Sequence, residues 1–326
     1  MTTVYLIRHA EAEGNAYRRI HGQYDSLVTP NGLRQIAALQ ARFREIPIDR
    51  CYASDLYRTR KTAEAVCAPK GLQLSCDARF REVGLGRWED VPFGYLEEFE
   101  AEDMRRFNRE PESWHVDGSE RYEVYKDRFL QALSERAEEN PGGSIAIVTH
   151  GCVLRAAQGV LCPGEQIPYC DNTAVSRLRY DAGRFTVDFL NDSTHLPEEI
   201  STFARQRWWR TTETRKDHNL WFTGPDSSGT YHALLGRNPA GFVRVSGGED
   251  GGAGILEAME LLQEHRGQDL GQQLLGMAVS HFRARGVQEL TAPKPLVQAA
   301  EGFLLRCGFC RDEAGGLTRR IAVPKL

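Results

Sequence analysis

Two short apolar runs stand out in the first half of the chain, at residues 3–7 and 144–149. Both are rich in β-branched residues and carry no charge, which is typical of strands that are buried on both faces. Each run ends beside a histidine, since Arg8-His9 follows the first and His150 follows the second. Parallel strands of an open α/β sheet end at a common edge, and ligands bind outside that edge. The pattern therefore predicts a ligand site at this edge. Considered without the rest of the chain, Arg8-His9 could instead be a surface pair that closes a strand.

Helical and extended patterns alternate between and around these runs. Ile36, Leu39 and Phe43 recur at helical spacing behind Thr29-Pro30, which suit an N-cap and a first helical turn. Asp181-Ala182-Gly183 separates two alternating stretches and predicts a hairpin. The other predicted elements are strands at 51–53 and 72–76 and helices at 54–69 (capped by Ser54 or Asp55), at 94–110, and from 119 and 152. Strands alternating with helices predict a three-layer α/β domain with a mostly parallel sheet.

A second, smaller α/β pattern begins at Tyr231. It predicts a strand from 231, a glycine-rich turn at 247–254, strands at 255–262 and 287–292, helices at 271–285 and 296–307, and a last strand at 317–323. The intervening residues 197–230 are polar and contain Trp208, Trp209 and Trp221. We therefore predict a first domain at 1–196, a linker or start of the second domain at 197–230, and a second domain at 231–326.

Composition and charge narrow the class of protein. The chain has 326 residues, of which 41% are hydrophobic and 26% charged, and its net charge is −4. These values are ordinary for a globular protein and give no electrostatic basis for binding nucleic acid or an anionic membrane. The sequence shows no run able to span a bilayer and no secretory signal, so we expect a cytoplasmic protein. It leaves the oligomeric state open.

The eight cysteines are scattered and do not resemble a disulfide framework. Cys307 and Cys310 form one CxxC pair with no second pair nearby. We interpret that pair as part of the packing rather than as a metal or redox site.

Four separated stretches each offer one group suited to phosphate chemistry: Arg8-His9, Arg58, Glu82 and His150. Arg58 lies near the start of a predicted helix, and both arginine side chains and helix N-termini favour anions. Two histidines could also form a metal pair, but neighbouring arginines disfavour a cation. The combination therefore predicts a phosphoryl site without a metal.

The residues around these four groups closely resemble the motifs of the histidine phosphatase superfamily, in its phosphoglycerate-mutase-like branch. The matching stretches are Arg8-His9-Ala10-Glu11 with Asn15, the segment 27–35, Ser54-Asp55-Leu56 with Arg58, Glu82 with Gly86, Trp88 and Glu89, Gly118-Ser119-Glu120, the segment 148–155, and the segment 191–196. Ala10 replaces the usual glycine. The resemblance covers residues 1–196.

The resemblance implies a role for each group. His9 is the nucleophile that becomes phosphohistidine; Arg8, Arg58 and His150 form the phosphate pocket, with Asn15 as an extra donor. Glu82 is the acid that protonates the leaving oxygen and then activates water. The protein would be a phosphomonoesterase acting on a small phosphorylated metabolite, without metal or cofactor, and residues 1–196 would fold and act alone. A mutase and a phosphoprotein phosphatase are the alternatives, although the acidic segment 90–118 does not suit a doubly phosphorylated glycerate.

Residues 231–326 resemble the second half of a GNAT acyltransferase. The stretch Arg266-Gly267-Gln268-Asp269-Leu270-Gly271 resembles the loop whose backbone N–H groups bind the diphosphate of acetyl-CoA, which would involve Arg266, Gly267, Gln268 and Gly271. Asp269 replaces a glycine of that loop, and Leu304 stands where the family has a tyrosine general acid. These departures predict a domain with doubtful acyltransferase activity. The alternatives are a bifunctional enzyme and an interaction module.

Overall fold

The computed structural model describes residues 1–206, 218–313 and 315–324. The helices are α1 (Glu13–Tyr17), α2 (Pro30–Arg42), α3 (Tyr57–Cys67), α4 (Phe93–Phe99), α5 (Ala101–Arg109), α6 (Tyr122–Glu138), α7 (Gly151–Leu161), α8 (Thr202–Arg205), α9 (Gly271–Arg283) and α10 (Lys294–Arg306). The strands are β1 (Thr2–Arg8), β2 (Arg50–Ala53), β3 (Leu74–Cys76), β4 (Ser144–Thr149), β5 (Val175–Asp181), β6 (Arg184–Asp192), β7 (Leu220–Thr223), β8 (Thr230–Leu235), β9 (Asn238–Gly247), β10 (Gly254–Leu261), β11 (Glu289–Ala292), β12 (Cys310–Arg311) and β13 (Leu317–Arg320).

The chain divides into two compact units. The first unit consists of Met1–Ala12, His21–Glu89 and Arg106–Arg205, and the second of Glu13–Ile20, Asp90–Arg105 and Gln206–Leu326. Two short segments from the first half of the sequence thus belong to the second unit. Trp208 and Trp209, in the predicted linker, lie outside the described residues.

The first unit is built on a six-stranded sheet in the order β3-β2-β4-β1-β5-β6. Pairing is parallel from β3 to β1 and antiparallel from β1 to β6, which confirms the mostly parallel α/β sheet. The two apolar runs are neighbours, with Ile7 opposite Val148 and Arg8 opposite Thr149. Their central side chains are buried, as expected for strands covered on both faces.

Two helices of the first unit begin later than predicted. The α3 helix starts after Leu56 rather than at Ser54, and the carboxylate of Asp25 accepts the Tyr57 N–H at 2.8 Å. The α6 helix starts after Arg121 rather than at Ser119.

The predicted helix at 94–110 is two helices, α4 and α5. The chain leaves the helical conformation at Glu100, where φ is −132° and ψ is 36°.

The second unit is built on a seven-stranded sheet in the order β12-β13-β11-β10-β9-β8-β7. Its one parallel pairing among the described strands joins β10 to β11 through only two residue pairs, and β10 carries a bulge between Leu256 and Ala258. The single strand predicted from 231 is the β8–β9 hairpin, which turns at Gly236-Arg237. The sequence analysis missed β7. The α9 helix buries Leu274, Leu275 and Phe282 against this sheet.

No helix in the described part of the chain combines the length and apolarity needed to cross a bilayer. Cys307 is buried in the core of the second unit, and Cys310 is exposed in β12.

Candidate active site

His9 lies immediately after β1 and only 3% of it is exposed. Its Nδ1 is 2.7 Å from the carbonyl oxygen of Ala10. Because a carbonyl only accepts hydrogen bonds, Nδ1 must carry the proton and donate. The Nε2 atom then holds the lone pair, so the backbone fixes the tautomer in which Nε2 is the nucleophilic atom.

The charge state of His9 also suits nucleophilic attack. Burial lowers the pKa of His9 well below its ordinary value, and the positive charges of Arg58 and Arg8 lower it further. The imidazole is therefore neutral at neutral pH, and only the neutral ring has a lone pair to offer.

His150 follows β4 at the same sheet edge, and its ring centroid is 5.2 Å from that of His9. The side chain is fully buried, and its Nε2 is 3.0 Å from the Ser54 hydroxyl. Burial, followed by the charge of Arg58, lowers the pKa of His150 well below its ordinary value. Its Nδ1 is buried without a hydrogen-bond partner among the described residues. The sheet thus brings together the two histidines that were predicted to meet.

Arg58 and Arg8 both lie close enough to His9 to lower its pKa. Arg58 is fully buried, and its two terminal nitrogens donate to the carbonyl oxygens of Gly22 (2.7 Å) and Tyr24 (3.0 Å). Arg8 donates to the carbonyl of Cys170. The Nε–H groups of Arg8 and Arg58 are both buried and make no hydrogen bond within the described residues. Buried N–H donors without partners are costly, so an anion that accepts from them would relieve both.

Glu82 is 8% exposed, and its carboxylate caps α7. It accepts hydrogen bonds from the backbone N–H groups of Cys152 (3.0 Å) and Val153 (3.1 Å), and from its own neighbour Val83 (3.1 Å). The α7 helix begins at the residue after His150, so this cap places the carboxylate beside the second histidine. The predicted residues Arg8, His9, Arg58, Glu82 and His150 all lie in the first unit.

Asn15 lies in α1, which belongs to the second unit, and its assignment as a phosphate donor stays a prediction. The sequence analysis missed His21, whose ring centroid is 6.3 Å from that of His9 and whose Nε2 is 2.8 Å from the Ser26 hydroxyl. Its signal was weak, because His21 lies in an irregular segment between two motifs.

The predicted acetyl-CoA loop adopts a conformation with its own hydrogen bonds. Arg266 donates to the carbonyl of Leu261 and to Glu260, and the Gln268 side chain donates to the carbonyl of Glu264. Asp269 has a left-handed backbone with φ of +59°.

Leu270, rather than Asp269, holds the N-cap position of α9, and its side chain makes no capping hydrogen bond. A side chain at position 271 would crowd the Phe303 ring, because an ideal Cβ on Gly271 would lie 3.2 Å from that ring. Leu304 is fully buried in the core of the second unit, so an aliphatic side chain fills the position of the family's general acid.

Comparison with known families assigns two consecutive segments of the chain. The model of the histidine phosphatase superfamily (branch 1) matches residues 4–193, more than half of the chain. The chain belongs to the histidine phosphatase superfamily. The model of the acetyltransferase (GNAT) family matches residues 189–309, so the superfamily segment is followed by a GNAT domain.

Individual relatives of the superfamily segment agree with this assignment. The chain is 31% identical over 205 residues to the probable phosphoglycerate mutase GpmB of Salmonella choleraesuis. The aligned region covers 60% of this chain and 95% of that protein. YhfR of Bacillus stearothermophilus is 28% identical with a TM-score of 0.58, covering 60% and 99% of the two chains. A mycobacterial glucosyl-3-phosphoglycerate phosphatase solved with VO3 is 23% identical, with a TM-score of 0.54 and coverage of 59% and 99%, and shares the fold.

Proposed function

We propose that the first unit is a phosphomonoesterase that works through a phosphohistidine at His9. The observation that carries the proposal is the neutral, buried His9, held by its Nδ1–H in the nucleophilic tautomer between two arginines with unused N–H donors. In the first step Nε2 bonds to phosphorus while the P–O bond to the alcohol breaks and Glu82 gives that oxygen a proton. In the second step water attacks phosphorus, Glu82 takes its proton, and the P–N bond breaks.

Two arginines and a neutral histidine do the remaining work. Arg8, Arg58 and His150 surround the phosphoryl oxygens, whose charge is spread in a loose transition state. Preorganised donors in a buried site stabilise that charge without reorganising during the reaction. A small phosphorylated metabolite is the substrate class that this buried pocket suits.

The direct test is His9→Ala, assayed with p-nitrophenyl phosphate. We expect hydrolysis to fall by several orders of magnitude, because the nucleophile and its covalent route are lost. His115→Ala is the matched control, since His115 is an exposed histidine of the same unit. Quenching the wild type in alkaline detergent with labelled substrate should trap a base-stable, acid-labile phosphoprotein that His9→Ala lacks. Full activity of His9→Ala would contradict the proposal.

A phosphoglycerate-type mutase is the second candidate, favoured by the 31% identical relative, a probable phosphoglycerate mutase. Within the second unit, Glu97 of the acidic segment accepts hydrogen bonds from Asn219, and Glu98 pairs with Arg237 at 3.3 Å, so these two carboxylates have partners there and do not distinguish the two functions. Phosphorus NMR of 3-phosphoglycerate with the protein separates the two. A phosphatase releases inorganic phosphate, whereas a mutase yields the isomeric ester.

For the GNAT domain we propose little or no acyltransferase activity. The residues present do not fit acetyl-CoA, since the Asp269 carboxylate stands in the anion loop and Leu304 is an aliphatic core residue. No acyl-transfer step follows from such a site.

A further inference from the structure

We propose that Arg128 is a positioning residue that holds the segment carrying Glu82 in the geometry needed for proton transfer. This inference rests on the proposed phosphatase function of the same site. Arg128 lies on α6, in the first unit, and its side chain is 17% exposed. It does not touch the reacting atoms and acts through Glu82.

The first observation is that Arg128 uses all five of its N–H donors. Its Nη1 donates to the carbonyl oxygens of Arg79 and Arg81, and its Nη2 to that of Glu82, each at 2.8 Å. Its Nε and Nη2 donate to the two carboxylate oxygens of Glu120, at 2.9 and 2.8 Å. A guanidinium presents five donors in a rigid fork, so this set of bonds fixes the segment 79–82 in more than one direction.

The second observation concerns the one carbonyl that Arg128 leaves out. The Phe80 carbonyl accepts the hydroxyl of Thr149 at 2.8 Å, and Thr149 is the residue before His150. Side chains therefore hold four consecutive carbonyls, those of residues 79–82. One of these side chains comes from α6 and the other from the strand end that presents the second histidine. The Phe80 ring also packs against Phe129 of α6, with centroids 5.6 Å apart.

We call the hydrogen bonds from Arg128 to the carbonyl oxygens of Arg79, Arg81 and Glu82 the Arg128 clamp. The third observation is that Glu120 extends this clamp to a residue that follows Glu82 in the chain. Its carboxylate accepts the backbone N–H of Gly84 at 2.6 Å and the side-chain amide of Gln23 at 3.3 Å. Burial favours a raised pKa for Glu120, but hydrogen bonds from Arg128 and Gly84 outweigh it and hold the pKa below its ordinary value. The Arg128–Glu120 pair is thus ionised and fixes the backbone on both sides of Glu82.

Such a clamp has a chemical purpose because Glu82 stands in an irregular stretch between short helical turns. Helix or strand hydrogen bonds do not fix the Glu82 backbone, although its carboxylate accepts from the first turn of α7. A displacement of about 1 Å at a catalytic group can cost on the order of 100-fold in rate. A merely structural role for Arg128 would lower stability without selecting one chemical step, and this difference can be measured.

The test compares kcat/KM for an alkyl ester, glycerol 2-phosphate, with that for an aryl ester, p-nitrophenyl phosphate. For a phosphohistidine route, kcat/KM reports the steps up to release of the alcohol. An aryl leaving group needs little protonation, so its kcat/KM depends less on the general acid. Glu82→Gln sets the reference, with a loss of about 10²-fold to 10⁴-fold for the alkyl ester and a smaller loss for the aryl ester. Arg128→Lys should move the alkyl-to-aryl ratio in the same direction by about 10-fold or more, because lysine lacks the fork.

Arg136→Lys is the matched control, since Arg136 lies on the same helix but donates to the carboxylates of Asp77 and Glu139. It should leave the ratio unchanged. If Arg128→Lys does not fold, Glu120→Gln decides by the same ratio, expected to shift in the same direction. Equal losses for both esters in the folded variant would overturn the positioning role. Hydrolysis that survives in His9→Ala would instead overturn the proposed function.

Discussion

Two buried histidines and one half-buried histidine of the first unit resist protonation. Burial and neighbouring arginines lower the pKa values of His9 and His150 well below the ordinary value. Burial and then Arg42 lower the pKa of His195 to about 4. Arg42 can only donate, so Nδ1 of His195 accepts from it at 3.0 Å, and Nε2–H is left to donate to Thr173. Protonating His195 would break the first of these bonds.

The sign of the resulting pH dependence follows from linkage. Unfolded histidines titrate near pH 6.5, so below that pH the unfolded chain binds more protons than the folded one, and the free energy of unfolding falls. Between pH 7.5 and pH 5.5, His195 alone should account for a loss of about 1.4 kcal/mol. Urea unfolding at both pH values should show a smaller decline in His195→Gln than in the wild type. His232→Gln, at an exposed position, is the control, and an identical decline in all three proteins would contradict the assignment.

At the scale of elements, the sequence predicted the strands and helices that are specified by local patterns of residues. Short apolar runs form β1 and β4, and a histidine follows each of them. The sheet edge at which these histidines lie could therefore be predicted. Contacts between distant residues were not readable. The α7 helix takes its cap from Glu82, and α3 receives a hydrogen bond from Asp25, and neither pairing leaves a local pattern. For the same reason, neither His21 nor the Arg128 clamp was foreseen.

The loop before α9 provides a prediction at this scale. The Asp269 carboxylate would repel the diphosphate of acetyl-CoA by roughly 3 kcal/mol at about 5 Å and an effective dielectric near 20, which is on the order of 100-fold in affinity. Calorimetry should therefore detect little binding by the native chain and stronger binding by Asp269→Gly. Asp269→Asn is the matched control, because asparagine tolerates the left-handed backbone without the charge.

The two variants separate two causes. Binding by both would assign the defect to charge, and binding by the glycine variant alone would assign it to the backbone at φ of +59°. Tight binding by the native chain would contradict the prediction and favour a working acyltransferase.

At the scale of the whole molecule, the second unit is assembled from distant parts of the chain. Glu13 is 1% exposed and accepts from Arg283 at 2.6 Å and from Arg319 at 2.5 Å. Tyr17 lies in the core around Leu274 and Leu275 and accepts a hydrogen bond from Arg319. The start of the chain thus supplies a buried carboxylate and an aromatic core residue to this unit.

This assembly argues against the expectation that residues 1–196 fold and act alone. A fragment ending there would expose Tyr17 and would lack both arginines that pair with Glu13. We expect it to melt at a lower temperature than the full chain. Glu13→Gln should destabilise the full chain by about 3–5 kcal/mol, because the buried Arg319 and the half-buried Arg283 lose their carboxylate partner. The same change should leave the fragment's melting temperature unaffected. A fragment as stable as the full chain would restore the original expectation.

The pairing of Tyr17 with Arg319 also bears on how the protein is made. The two residues are 302 positions apart. At roughly 5–20 residues per second, about 15–60 s pass on the ribosome between the emergence of one and the other. Until Arg319 emerges, the nascent chain carries Tyr17 and Glu13 without their complete set of partners. The second unit is therefore completed only after Arg319 has emerged, and chains that stall before Arg319 leave that carboxylate with an incomplete set of partners.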